Sequence, residues 1–244
     1  MKFAIIAAGE GSRLVQEGVS LPKPLVRIGT ESMIDRLMNI FRRQGATEIV
    51  LIVNERMPEV VTHVKKRQQE MAQEGFPLRI VVKSTPSSMH SFYELSPYLE
   101  GEPFCLTTVD TIFREEDFKV YIQEFLQANT GSSVQTDGLM AVTGFVDDEK
   151  PLYVLTDEDM YIRGFYDDPP VSAPLVSGGI YLLSPPALTT LRQCISEGKS
   201  RMRNFQRQLV ADGLRLKAYV FPKILDVDHA SDIQKAEAFL KEGI

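Results

Sequence analysis

Five consecutive apolar residues, Phe3–Ala7, run directly into a loop of small residues, Ala8-Gly9-Glu10-Gly11-Ser12. A run that short and unbroken predicts a strand buried on both faces, as in parallel sheets covered by helices. The pattern then repeats. Ile34, Leu37, Met38 and Phe41 share one face at helical spacing, predicting a helix from Met33 to Gln44 with Ser32 capping its start and Gly45 its end. Glu48–Val53 reads as a second strand, and Met57 to about Gln73 as a helix with Val60, Val61, Val64 and Met71 inward. Leu78–Val82 is a third strand, Ser88–Tyr98 a short helix, Pro103–Thr108 a fourth strand ending near Asp110, and Glu116–Ala128 a further helix. This order predicts a parallel sheet with helices on both faces. Such sheets bind ligands beyond the carboxyl ends of their strands, which would place the small-residue loop and Asp110 on one edge.

The second half changes character. Leu139–Phe145, Leu152–Leu155, Tyr161–Phe165 and Gly179–Leu183 read as short strands, separated by the turn-rich stretches Asp147–Pro151, Thr156–Asp159 and Asp167–Pro174. Helices are expected at Pro186–Glu197 and Arg201–Asp212, a late strand at Leu214–Val220, and a final amphipathic helix at Ala230–Lys241. No linker composition and no internal repeat interrupts the chain, so one domain with a mixed subdomain over the sheet edge is the simplest account.

Composition narrows the function classes. A net charge of −6 argues against general affinity for nucleic acid. No apolar run approaches the roughly 18 residues of a membrane span, and no basic-then-apolar leader is evident. Cys105 and Cys194 are expected to be buried free thiols, which suits a reducing cytoplasm. His63, His90 and His229 stand too far apart to suggest a zinc site. Oligomeric state is not legible, although an oligomer is compatible with the turn-rich second half.

The loop after the first strand carries the chemistry. Gly9 and Gly11 bracket Glu10, Arg13 follows closely, and Lys23 stands between Pro22 and Pro24. Glycines let backbone N–H groups approach a ligand, and adjacent N–H groups with Arg and Lys make a site for a polyphosphate. The flanking prolines predict a stiff, extended setting for Lys23. Gly9-Glu10-Gly11 begins like a dinucleotide fingerprint, but Leu14 replaces the third glycine, and Val53-Asn54-Glu55 only loosely supplies the acidic partner. No Gly-Lys-Ser/Thr follows, so the loop is not a Walker A motif either. A dinucleotide-dependent oxidoreductase is disfavoured, and a bare strand-to-helix turn is the structural alternative for the glycines alone.

AAGEGSRL at 7–14 followed by PKPLVRIG at 22–29 resembles the signature of the sugar-1-phosphate nucleotidylyltransferases, AAGxGxRL with PKPL shortly after. Their superfamily also includes phosphocholine cytidylyltransferases and CMP-sugar synthetases. The resemblance implies a three-layer α/β/α, Rossmann-like (GT-A-like) fold. Its mixed, mostly parallel sheet would carry a small acceptor-binding subdomain. It implies one domain over 1–244, with a nucleotide-binding half at 1–130 and an acceptor-binding half at 131–244. The implied reaction is Mg2+-dependent transfer of a nucleoside monophosphate from an NTP to a sugar 1-phosphate or similar phosphomonoester, with release of pyrophosphate.

By the same resemblance, Ala8, Gly9, Glu10, Gly11 and Ser12 hold the nucleotide, Arg13 the leaving pyrophosphate and Lys23 the α-phosphate. Asp110 and Phe113 match the family's LGDxxF, whose aspartate binds the metal, although valine precedes Asp110. Asp226-Val227-Asp228 resembles the family's DxDTPED segment, making Asp228 the second ligand with Asp226 assisting; capping of the last helix is the competing role. Ser87 and Ser88 stand where relatives read the base, and helix capping explains them equally well. Ser177-Gly178-Gly179-Ile180-Tyr181 keeps the acceptor-side pattern, with Gly179 at the acceptor. The lysine of the family's Glu-Lys-Pro is absent, and Arg163 or Lys223 is the candidate replacement. That absence keeps a second reading open: a non-catalytic nucleotide- or nucleotide-sugar-binding regulator on the same fold.

Overall fold

The computed structural model describes residues 1–130, 136–147, 149–169 and 175–242. The first half contains β1 (Lys2–Ala7), α1 (Ser12–Gln16), the short strands β2 (Arg27–Ile28) and β3 (Glu31–Ser32), α2 (Met33–Arg43), β4 (Ile49–Val53), α3 (Pro58–Gln73), β5 (Leu78–Val82), α4 (Ser88–Leu95), β6 (Phe104–Thr108), β7 (Thr111–Ile112) and α5 (Glu115–Thr130). The second half adds β8 (Gly138–Thr143), β9 (Tyr153–Thr156), β10 (Ile162–Tyr166), β11 (Leu175–Leu183), α6 (Pro186–Ser196), α7 (Met202–Ala211), β12 (Leu216–Phe221), β13 (Leu225–Asp226) and α8 (Ala230–Lys241).

The ends of the helices have local causes. The Ser32 hydroxyl accepts the Asp35 N–H at 3.2 Å, satisfying one orphan donor of α2. Pro58 starts α3, where a missing N–H costs nothing. Pro97 follows α4, and the chain tightens there into a 3-10 turn at Ser96–Tyr98.

β1 lies between β4 and β6, and these strands, with β5, are parallel. β11 runs antiparallel to β6 and extends the sheet to β8 and β9, while β12 lies parallel to β8. The sheet is therefore mixed, with a parallel centre. Its strands alternate sides. Phe3, Ile5 and Ala7 of β1 and Ile49, Leu51 and Val53 of β4 pack with apolar residues of α2, α3, α5 and α8. Ala4, Ile6, Val50 and Ile52 pack with those of α4, α6 and α7. Both faces are covered, which is why the strands read as unbroken apolar runs rather than alternating ones. On the first face the rings of Phe3, Phe41, Phe113 and Phe118 pack with centroids 4.8 to 6.1 Å apart. Cys105 and Cys194 are free and buried, as expected.

Two local expectations are corrected. The segment around Lys23 is not extended: Lys23–Leu25 forms a 3-10 turn, closed by the Leu25 N–H to the Pro22 carbonyl at 2.8 Å and the Val26 N–H to the Lys23 carbonyl at 3.1 Å. Pro24 already has the φ that a turn needs, so the segment stays stiff but curls. The strand expected from Gly179 begins at Leu175, because β11 keeps its pairing on both sides of a register break between Ser177 and Tyr181.

Candidate active site

The carboxyl ends of β1, β4, β5 and β6 open onto one cleft of about 960 Å³. Its walls include Ala8 through Ser12 after β1, Asn54 and Arg56 after β4, Thr85, Ser87 and Ser88 after β5, and Asp110 after β6. Sheet register brings these loops together. The Val109 N–H donates to the Ile6 carbonyl at 3.0 Å, continuing the β1–β6 ladder to the edge. Asn54 ties three loops: its amide donates to the Ala8 carbonyl at 3.1 Å, and its side-chain oxygen accepts the Ser84 hydroxyl at 2.7 Å and the Arg56 N–H at 3.0 Å. Asn54 is buried, so each of these polar groups matters to the loops it joins.

Lys23 sits at the floor of the cleft. Its ammonium lies 2.5 Å from Asp110 Oδ2 and 2.6 Å from Asp228 Oδ1. Burial alone would lower the ammonium's pKa, but the two carboxylates outweigh it and hold Lys23 above the usual lysine range. Burial would likewise raise Asp110; the Lys23 charge and its close contact outweigh it and hold that carboxyl below its ordinary value. Arg13 reaches the other side of Asp228, with Nη1 3.2 Å from Oδ2, and lies 3.5 Å from Glu149. Gly11 lets the loop pack closely against the base of the Lys23 side chain. It is left-handed, with φ +62°, and a Cβ there would stand 2.7 Å from Lys23 Cβ.

Asp110 and Asp228 are distant in sequence and meet through two very short strands. β13 pairs with β7, placing Leu225 opposite Ile112 and Asp226 opposite Thr111. The Val227 N–H then donates to the Asp110 carbonyl at 3.1 Å. Asp228 is not the helix cap. His229 occupies that position, and the Asp232 carboxylate accepts the N–H groups of Asp228 and His229 at 3.2 and 2.8 Å. The Asp228 side chain is thereby left to the cleft. Glu17, after α1, binds the His229 ring at 2.6 Å and the Ala230 N–H at 2.6 Å, fastening the loop region to α8.

A second, smaller cavity of about 240 Å³ opens beside the first. Arg13 and Asp228 line both. The second cavity is further bounded by Phe145, Glu149, Ser177, Gly178, Asp226 and Lys235. The register break in β11 falls at Gly178 and Gly179, where Gly179 has φ +73°. A side chain at 178 would stand 2.3 Å from Ile224 Cδ1, so glycine lets the β13 segment close against the sheet.

The structure brings most of the expected residues to these two cavities. Ala8, Gly9, Glu10, Gly11, Ser12, Arg13, Lys23, Ser87, Ser88, Asp110 and Asp228 all line the larger one. Ser87 also caps α4, accepting the His90 N–H at 3.4 Å, so capping and cleft lining coexist. The three acceptor-side residues need correction. Arg163 projects from β10 into solvent and pairs with Asp157 at 2.5 Å, away from both cavities. Lys223 lines neither; its ammonium stacks 4.4 Å from the Phe145 ring and 5.1 Å from Phe239. Gly178, rather than Gly179, lines the smaller cavity.

Asn54, Arg56, Glu149 and Lys235 were not expected in the two cavities. Asn54 had a legible signal, since it directly follows the second strand and so belongs to the binding edge. Lys235 had none: it lies on a surface helix and reaches the smaller cavity only because α8 docks there, bridging Asp147 at 2.8 Å and Asp232 at 3.1 Å.

Asp110 Oδ1 is buried without a hydrogen-bond partner, a desolvated lone pair of the kind that a cation satisfies. Among the described residues no group of three or more His, Cys, Asp or Glu is gathered for a metal. Two carboxylates beside an open cleft instead suit a hard ion that keeps waters and takes phosphate oxygens.

The sequence matches the nucleotidyl transferase family over residues 2–243. It is 28% identical over 196 residues to a probable mannose-1-phosphate guanylyltransferase 1 of Oryza sativa subsp. japonica, covering 77% of this chain and 51% of that protein. The chain spans about half the length of the first curated relatives it matches. Its fold is similar to that of the inositol-1-phosphate CTP transferase from T. maritima, with a TM-score of 0.76, 20% identity, and 100% and 97% of the two chains covered. It is also similar to a putative glucose-1-phosphate thymidylyltransferase from Bacillus anthracis, with a TM-score of 0.81, 18% identity, and 99% and 96% covered. With the loop, the lysine and the two aspartates gathered as the family signature implies, the chain belongs to the nucleotidyl transferase family.

Proposed function

We propose that this protein transfers a nucleoside monophosphate from an NTP to a sugar 1-phosphate or similar phosphomonoester and releases pyrophosphate. The observation that carries this reading is the meeting of the two cavities at Arg13 and Asp228, beside Lys23 and Asp110. The larger cavity takes the NTP and the smaller one the acceptor, so the acceptor's phosphate arrives next to the α-phosphate. In the same reading residues 1–130 form the nucleotide-binding half and 131–244 the acceptor-binding half. The sugar-phosphate substrates in the relatives' names support the acceptor class.

The attacking oxygen belongs to a phosphomonoester already ionised near pH 7, so no general base is required. It forms a bond to the α-phosphorus. The bond from that phosphorus to the bridging oxygen breaks, and the electron pair leaves with pyrophosphate. Lys23 neutralises the α-phosphate, Arg13 holds the departing pyrophosphate, and the N–H groups of residues 9–11 fix the chain of phosphates. These are positioning and charge terms, as expected for phosphoryl-type transfer. Asp110 and Asp228 would hold a Mg2+ ion, which supplies charge neutralisation at the phosphates when bound.

Net negative charge speaks against nucleic acid as a partner, and among the described residues no helix is long and apolar enough to cross a membrane. Two buried free thiols support a reducing cytoplasm as the compartment. The test is pyrophosphate release from a panel of NTPs and phosphomonoesters with Mg2+. Lys23→Ala and Asp110→Ala should each lower turnover at least a hundredfold, about 3 kcal/mol. Nucleotide binding by calorimetry without pyrophosphate from any pair would favour the regulator reading instead.

A further inference from the structure

We infer that Lys23 occupies the cation position between Asp110 and Asp228, so that the protein without nucleotide binds divalent metal poorly and the nucleotide itself opens the metal site. This rests on the proposed reading of the cleft and goes beyond it, because it assigns the lysine a second role before substrate arrives.

The geometry is specific. One ammonium lies within 2.6 Å of an oxygen from each carboxylate. Both contacts are charge-assisted and short, the strong class of hydrogen bond. Lys23 is buried, so water screens the pair weakly. The backbone that carries it is a closed 3-10 turn, and Gly11 packs against its side-chain base, so the lysine is delivered to this point rather than sampling it from solvent. A divalent ion joining both carboxylates would stand close to the ammonium. At roughly 4 Å and an effective dielectric of about 20, like charges repel strongly enough to exclude such a partner.

The α-phosphate changes the balance. It offers Lys23 an anion in the same cleft, and the ammonium needs only to swing across to it. The carboxylates are then left to the ion that enters with the triphosphate. Asp110 Oδ1, buried and unpartnered while Lys23 holds Oδ2, fits this account: the lysine satisfies one oxygen of a carboxylate that has a second to offer. Metal and nucleotide should therefore bind with positive coupling that depends on this side chain.

The test uses Mn2+ without nucleotide, followed by the electron paramagnetic resonance signal of the free ion. Lys23→Met should bind Mn2+ at least about tenfold more tightly than the unaltered protein. Lys23→Gln, which keeps a polar group between the aspartates, should show the same direction. Equal or weaker binding by the folded variants overturns the inference. A measurement on the unaltered protein decides the matter if both variants misfold: Mn2+ alone should move Tm by no more than roughly 1 °C, whereas Mn2+ with a non-hydrolysable NTP should raise it clearly. A comparable rise with Mn2+ alone, or no rise with both, overturns the inference. If pyrophosphate is still formed in the activity panel, either result leaves the transferase reading standing.

Discussion

Replacing Gly11 by alanine tests how the nucleotide loop and the lysine depend on each other. Gly11 has φ +62° and ψ +33°, a left-handed conformation that costs an L-residue about 1–2 kcal/mol. The new methyl group would also stand 2.7 Å from Lys23 Cβ. That atom is the rooted end of the side chain, so the loop or the 3-10 turn must retreat by roughly 1 Å to reach ordinary contact. The strain alone predicts a fall in Tm of about 2–8 °C for a chain of this size. A displacement of that size at the reacting phosphate costs on the order of a hundredfold in turnover. The assay pairs thermal denaturation with pyrophosphate release, and Gly9→Ala is the internal control. A Cβ at Gly9 meets nothing within 4 Å, so its Tm should stay within roughly 1 °C of the unaltered protein. If Gly11→Ala matches Gly9→Ala in Tm and keeps the turnover of the unaltered protein, the close approach of loop and lysine does not matter, and the argument from it fails.

Other perturbations separate the site from its surroundings. Arg163→Ala should leave turnover and acceptor KM within about twofold, since its partner is Asp157 on the surface; a large rise in acceptor KM would return it to the site. Asp35 is half-buried; burial would raise its carboxyl, but hydrogen bonds from His63 and Ser32 and the charges of His63 and Arg67 hold it below the ordinary value. Its contribution to stability is therefore full above the unfolded pKa of about 3.9 and is lost as pH falls through the lower native value. Asp35→Asn should flatten the acid limb of Tm against pH, and parallel limbs would refute this. Cys105 and Cys194 should both resist a thiol reagent in the native protein and both react after denaturation, because burial removes access and pushes the Cys105 thiol up. Rapid labelling of either one in the native state would contradict its burial.

Much of the frame was legible in the sequence because local rules determine it. The runs Phe3–Ala7 and Ile49–Val53 are apolar without alternation, as strands covered on both faces are. From that order alone the loop after β1 and Asp110 fall on one edge. The grouping of the glycine loop, Arg13 and Lys23 was also readable, since they follow the first strand closely, and the structure places all of them on the larger cavity.

Tertiary structure decided the rest. No periodicity marks strands as short as β7 and β13, yet their pairing sets Asp110 and Asp228 around one ammonium. Arg163 and Lys223 lie off both cavities for the same reason. Arg163 and Lys223 are cations at plausible places in the sequence, but the direction of a strand and two aromatic rings take them elsewhere, and the docking of α8 brings Lys235 instead. Local preference settles which elements form and which ends they present. Which distant charges share a cavity depends on packing between elements, and that is a property of the folded chain as a whole.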